Sequence, residues 1–129
     1  MMLAAALLLL PGDVPSSNDI RGDWINERNS AVVRIDDCPT GLCGRIIWSS
    51  SAAQADAKAG GTSELTGTAV MFDFALAPNG QWRGRLFVPD LNRTVRAAIE
   101  LQTDGRLLLK GCQLGGLVCK SQRWTRWMK

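Results

Sequence analysis

A two-residue alternation of apolar and charged side chains limits the fold more than any other feature of this chain. Val95, Ala97, Ile99 and Leu101 fall on one face of an extended segment, with Arg96 and Glu100 on the other, and Trp82, Gly84, Leu86 and Val88 likewise oppose Arg83 and Arg85. Such segments are strands with one dry face and one wet face. From Gly22 onward they recur with turn signals at intervals of about 8 to 12 residues, the spacing of an all-β sandwich or barrel. The segments are Trp24 to Glu27, Ala31 to Asp36, Gly44 to Trp48, Gly67 to Phe74, Gln81 to Val88, Arg93 to Leu101, Arg106 to Lys110 and Lys120 to Trp127. Arg28-Asn29-Ser30, Pro78-Asn79-Gly80, Pro89 to Asn92 and Thr103-Asp104-Gly105 punctuate them. An antiparallel sheet of eight strands must hide its edges, and closure does so. The expected architecture is a single antiparallel eight-stranded barrel.

Length allows one domain and no more, since the chain has 129 residues, 46% of them hydrophobic and 21% charged. Histidine is absent, which removes the Ser-His-Asp triad, the Cys-His pair and HExxH zinc chemistry together. A non-catalytic role is therefore expected. Asp36-Asp37 could suggest acid/base work, but neighbouring strand residues point to opposite faces and cannot share a substrate, so turn or capping roles are expected there. Asp73 sits between Phe72 and Phe74. An outward Asp73 with both phenylalanines inward is the expected arrangement, the alternative being an inward Asp73 satisfied by Arg45.

Met1 to Leu10 is an unbroken apolar run ending in Pro11-Gly12. It is too short for a bilayer span, which takes about 20 residues, and has the length of a signal-peptide core. Residues 1–15 are expected to be a signal peptide, residues 16–129 the barrel domain, and the protein periplasmic or secreted. Cysteine usage fits that compartment. Cys38 and Cys43 bracket Pro-Thr-Gly-Leu, and Cys112 and Cys119 bracket Gln-Leu-Gly-Gly-Leu-Val. Zinc sites want two-residue spacings and usually a histidine, so disulfides are expected and metal is not. Of the three possible pairings the two local bridges suit tight turns between antiparallel strands, at about 2 kcal/mol for a six-residue loop against roughly 4.5 kcal/mol for a bridge from Cys38 to Cys112.

A barrel of this size is filled by side chains or holds one small ligand. Trp48, Met71, Trp82, Leu86 and Leu108 are the candidate pocket walls, with Arg45 as the polar group that orients a small apolar or amphipathic guest. The competing expectation is a packed, ligand-free barrel acting as a structural or interaction module. Ser49 to Glu64, rich in Ser, Ala and Gly, reads as a long loop with one helical turn, either a surface excursion or a lid over a barrel mouth. Five tryptophans beside many arginines raise the question of single-stranded nucleic acid, but export and the interspersed acids argue against it. Arg83, Arg85, Arg93 and Arg96 form a basic cluster on adjoining strands, read as a solvated outer face, with a lipid surface or acidic envelope polymer as the other partner class. No cofactor is expected.

Gly22-x-Trp24 near the start and Arg126 near the end resemble the G-x-W and C-terminal Arg signature of the calycin superfamily. That resemblance implies barrel closure by an indole with a guanidinium over it. A broader resemblance rests on Gly22-Asp23-Trp24, Ala31 to Ile35, Leu42 to Trp48, Trp82-Arg83-Gly84 with Val88-Pro89-Asp90, Gly111-Cys112, and Cys119 to Arg126. Together these resemble the family of small exported bacterial proteins of unknown function called DUF2147. The resemblance implies an exported β-rich domain and carries over no catalytic residue. The chain departs from the family pattern after Asp56-Ala57-Lys58, where an Asn-Pro is expected, and at Val95, where an aromatic is common.

Overall fold

In the computed structural model, residues 19–113 and 118–128 are described. The expected signal peptide lies outside them. Eight strands run in chain order, with one helix between the third and fourth: β1 (Gly22–Ile25), β2 (Ala31–Cys38), β3 (Gly41–Ser49), α1 (Ser51–Gly60), β4 (Ala69–Leu76), β5 (Trp82–Val88), β6 (Arg93–Leu101), β7 (Leu107–Gln113) and β8 (Val118–Arg126). Each strand pairs antiparallel with its sequence neighbour, and β1 meets β8 through Trp24↔Arg126 and Ile25↔Thr125, which closes the barrel as expected. The strand ends joined by β1–β2, β3–β4, β5–β6 and β7–β8 form one rim, here the upper; the other connections and both ends of the described chain form the lower.

The lower end is a solid plug. Trp24, Ile35, Leu42, Met71, Phe74, Ile99 and Leu107 are essentially without solvent contact, and Ile20, just ahead of β1, is buried with them. Trp24 Nε1 donates to Ile20 O at 2.9 Å, and Arg126 Cζ lies 4.2 Å from the centre of the Trp24 ring. The same guanidinium donates to Arg21 O and Asp19 O at 2.5 and 3.1 Å. One side chain of the last strand thus ties down the segment leading into the first.

Two glycines make room for the plug. A Cβ on Gly44 would lie 2.7 Å from Met71 Sδ, and one on Gly84 would lie 2.6 Å from Phe72 O and 2.8 Å from the Phe74 ring. We expect Gly84→Val to destabilise by about 1–3 kcal/mol through overpacking, read as a lower urea midpoint with an unchanged slope; a midpoint within error of the parent would show that the neighbouring strand yields freely.

Bulges decide which residues face inward. Phe72 pairs with Arg85 and Ala75 with Arg83, so Asp73 and Phe74 together oppose Gly84, with Asp73 at φ 58°. Phe74 points inward, while Phe72 carries the Arg85 guanidinium 5.5 Å from its ring and sits half-buried on the outer side. Asp73 is outside, paired with Arg85 at 2.5 Å and accepting from Thr40. The expectation of both phenylalanines inward therefore fails at Phe72, because the bulge breaks the alternation. A second register shift, between Val32 and Val33, leaves Ile47 unpaired on β3 and turns Trp48, expected inward, to the outside, where it is 44% exposed.

The segment 51–60 forms a full helix where one turn was expected. Ser50 caps its start, accepting from Ala53 N at 3.1 Å, and Gly61 at φ 113° ends it with bonds to Ala57 O and Lys58 O. Only Ala57 on this helix is buried. Its caps and alanine content hold it in place of a broad apolar stripe, which is why periodicity gave little sign of it. Both expected local disulfides are present, Cys38–Cys43 at the lower β2–β3 turn and Cys112–Cys119 at the upper ends of β7 and β8.

Candidate ligand-binding site

Above the plug the barrel is hollow. A cavity of about 760 Å³ opens at the upper rim, a size within the range of small-molecule sites. Strand by strand, its floor is Val33, Ile46, Val70, Leu86, Val95, Leu109 and Trp124, while the next residues down, Ile35, Gly44, Met71, Gly84, Ala97 and Leu107, do not reach it. The indole of Trp124 faces inward with Nε1 donating to Gln122 Oε1 at 2.8 Å. No buried side-chain nitrogen or oxygen among the described residues lacks a partner, so the apolar floor carries no unmet polar demand.

The helix shapes the opening. Ser50, Ala52, Ala53 and Asp56 line one side, and the far end of α1 is pinned to the β5–β6 turn. A Cβ on Gly60 would fall 1.8 Å from Asp90 O, and Thr62 Oγ1 donates to Pro89 O at 2.9 Å. The near end is held by Gln54 Nε2 donating to Ser49 O at 3.1 Å and by the Ser49–Thr66 hydroxyl pair at 2.6 Å. Around the rim stand Glu27, Arg28, Asp56, Asp90 and Lys120.

Of the six residues that the sequence suggested for the site, Leu86 alone lines the cavity. Met71 is wholly buried in the plug. Trp82 packs against the core at the lower end, in register with Ile99 and Leu76. Leu108 lies between the buried Leu107 and Leu109, a position that turns it outward. Arg45 is exposed and donates from Nη1 to Gly67 O at 2.5 Å, pinning the connection into β4 instead of meeting a guest. Trp48 is outside because of the Ile47 bulge. Trp124, Lys120, Ile46 and Leu109 were missed. Once Arg126 is read as inward, every second residue back along β8 faces the lumen, which gives Trp124, Gln122, Lys120 and Val118 directly.

Carboxylates with depressed pKa values gather at the closed end. Hydrogen bonds from Thr40 and then Arg85 hold Asp73 below its ordinary value of 3.8, the Arg21 guanidinium does the same for Asp37, and the backbone N–H groups of Arg21 and Arg106 lead the effect on Asp19 and Asp104. Asp37 thus serves an ion pair with Arg21, where a turn or capping role was expected. Groups whose folded pKa lies below the unfolded value contribute stability that is complete above pH 3.8 and is lost as pH falls through the lowered value. Urea midpoints should therefore drop as pH falls below about 4, and Asp73→Asn should flatten part of that fall; an identical slope in the variant would remove Asp73 from the explanation. On the outer face, Arg85 is held by Asp73, Arg83 by Gln81 and Arg93 by Gln113. Among the described residues no group of three acids or cysteines is placed to hold a metal ion.

A closed eight-stranded meander, plugged by an indole and an arginine below and hollow above, defines a calycin-like barrel. Its sequence matches, over residues 22–126, the family described as uncharacterized protein conserved in bacteria, DUF2147, and the chain belongs to that family. Among solved structures it is similar to HP1028 from Helicobacter pylori, described as belonging to the lipocalin family. That match has a TM-score of 0.65 at 12% identity and covers 86% of this chain and 84% of that one. No curated protein sequence matches the chain.

Proposed function

We propose that this protein is a non-catalytic binder of a small apolar or amphipathic molecule in the bacterial envelope. The cavity in the upper half carries the reading: seven apolar side chains form its floor, packed on the plug below and open to the rim above. Desolvation of an apolar guest on that floor would drive binding, with the polar rim setting its orientation. Two disulfides suit an oxidising compartment and so support an extracytoplasmic setting. The alternative is a ligand-free barrel acting as a structural or interaction module.

The test is native mass spectrometry of the protein purified without detergent from the cells that make it, followed by organic extraction and titration with single-chain lipids. A stoichiometric small molecule released on extraction, or micromolar binding of an added lipid that Ile46→Trp abolishes, supports the proposal. Ligand-free protein that binds none of the added lipids would overturn it.

A further inference from the structure

We infer that the guest is a single-chain amphiphile whose head carries both a positive and a negative charge. This rests on the binding reading above and adds to it the chemistry of the head. Lys120 lies on β8 in register with Gly111, between Val118 and Gln122, all of which line the cavity. It therefore projects over the apolar floor and not into the outer solvent. Arg28 also lines the mouth, from the β1–β2 connection, and β1 is the neighbour of β8 in the ring.

The acids stand opposite. Asp56 on α1 and Asp90 on the β5–β6 turn line the far side of the mouth, brought together where Gly60 meets Asp90. The β1–β2 and β5–β6 connections are four strands apart in a ring of eight, half the circumference. None of Lys120, Arg28, Asp56 or Asp90 makes an ion pair or side-chain hydrogen bond with another described residue. Glu27, the fifth rim charge, accepts from Arg123 N at 2.9 Å and is thereby engaged. Opposite charges on two sides of an open mouth, with no ion pair between them, suit a head that spans them with its anion toward Lys120 and Arg28 and its cation toward Asp56 and Asp90. The tail then descends along β8 from Lys120 to Trp124, a path of roughly 13 Å along the strand, which matches one chain of moderate length.

Isothermal titration of the full protein with lysophosphatidylethanolamine, lysophosphatidylglycerol and a monoacylglycerol of one chain length, each below its micellar concentration, tests this. The zwitterionic lipid should bind roughly tenfold tighter than either of the others, the scale of one charge-assisted hydrogen bond. Lys120→Glu should remove that preference and leave the monoacylglycerol unchanged. Combining Lys120→Glu and Arg28→Glu with Asp56→Lys and Asp90→Lys should restore it, because a head of both charges can turn round. Equal binding of the monoacylglycerol and the zwitterion would overturn the inference while leaving the cavity reading intact. Tightest binding of the anionic lipid, indifferent to Asp56→Lys, would overturn it in favour of a simple anion anchor. Failure of all three lipids to bind would count against both readings.

Discussion

Replacing Trp24 by alanine is expected to remove about 3–5 kcal/mol of folding stability, the usual range for deleting a buried aromatic. The indole has no solvent exposure, gives its one donor to Ile20 O and supports the Arg126 guanidinium on its face. It also stands on the narrowest seam of the barrel, where β1 and β8 share two register pairs. Truncation would empty the plug, leave Ile20 O unmet and free Arg126 at the same time. For a domain of this size the melting temperature should fall by on the order of 20 °C. Trp48→Ala is the matched control, because that indole is 44% exposed on the outer face and its loss should cost under about 1 kcal/mol. If the two variants unfold at the same urea concentration, Trp24 does not close the barrel.

Full reduction of both disulfides should cost about 4–5 kcal/mol. Sequence separations of 5 and 7 residues correspond to roughly 2 kcal/mol each in the chain-entropy model. The bridges sit at opposite ends of the molecule, share no partners and should therefore add. Since domains of this kind are held by only about 5–15 kcal/mol in all, the reduced protein would be marginal at physiological temperature. Unfolding with and without reductant, beside single-bridge variants in which Cys38 and Cys43 or Cys112 and Cys119 become alanine, measures each contribution. Unchanged stability after complete reduction would mean that the turns hold their shape without covalent help.

Wherever side chains alternate without interruption, the fold could be read from the chain. The strict patterns of Trp82 to Val88 and Arg93 to Leu101 located β5 and β6, and the pairing of Trp24 with Arg126 located the closure. The site was harder to find, for two physical reasons. A bulge turns a side chain over without leaving a mark in hydropathy, so Trp48 looked inward beside Ile46 although the extra residue Ile47 sends it outside. Depth along the lumen is also invisible to a two-residue period: Met71, Trp82 and Leu86 all look apolar and lumenal, yet only Leu86 stands above the plug. The rim charges could not be found by a search for buried polar groups, because they are exposed and belong to three separate connections and one strand.

The lumen passes from a filled end to an open one through side chains that serve both, as floor of the cavity and as roof of the plug. Ile46, Val70 and Leu109 pack into the same cluster as Trp24, Phe74 and Met71, whereas Leu86 is only partly buried against it. A change of shape at the floor is therefore felt in the seal beneath it, and a laboratory library aimed at selectivity would do best to begin at Leu86 and the exposed rim.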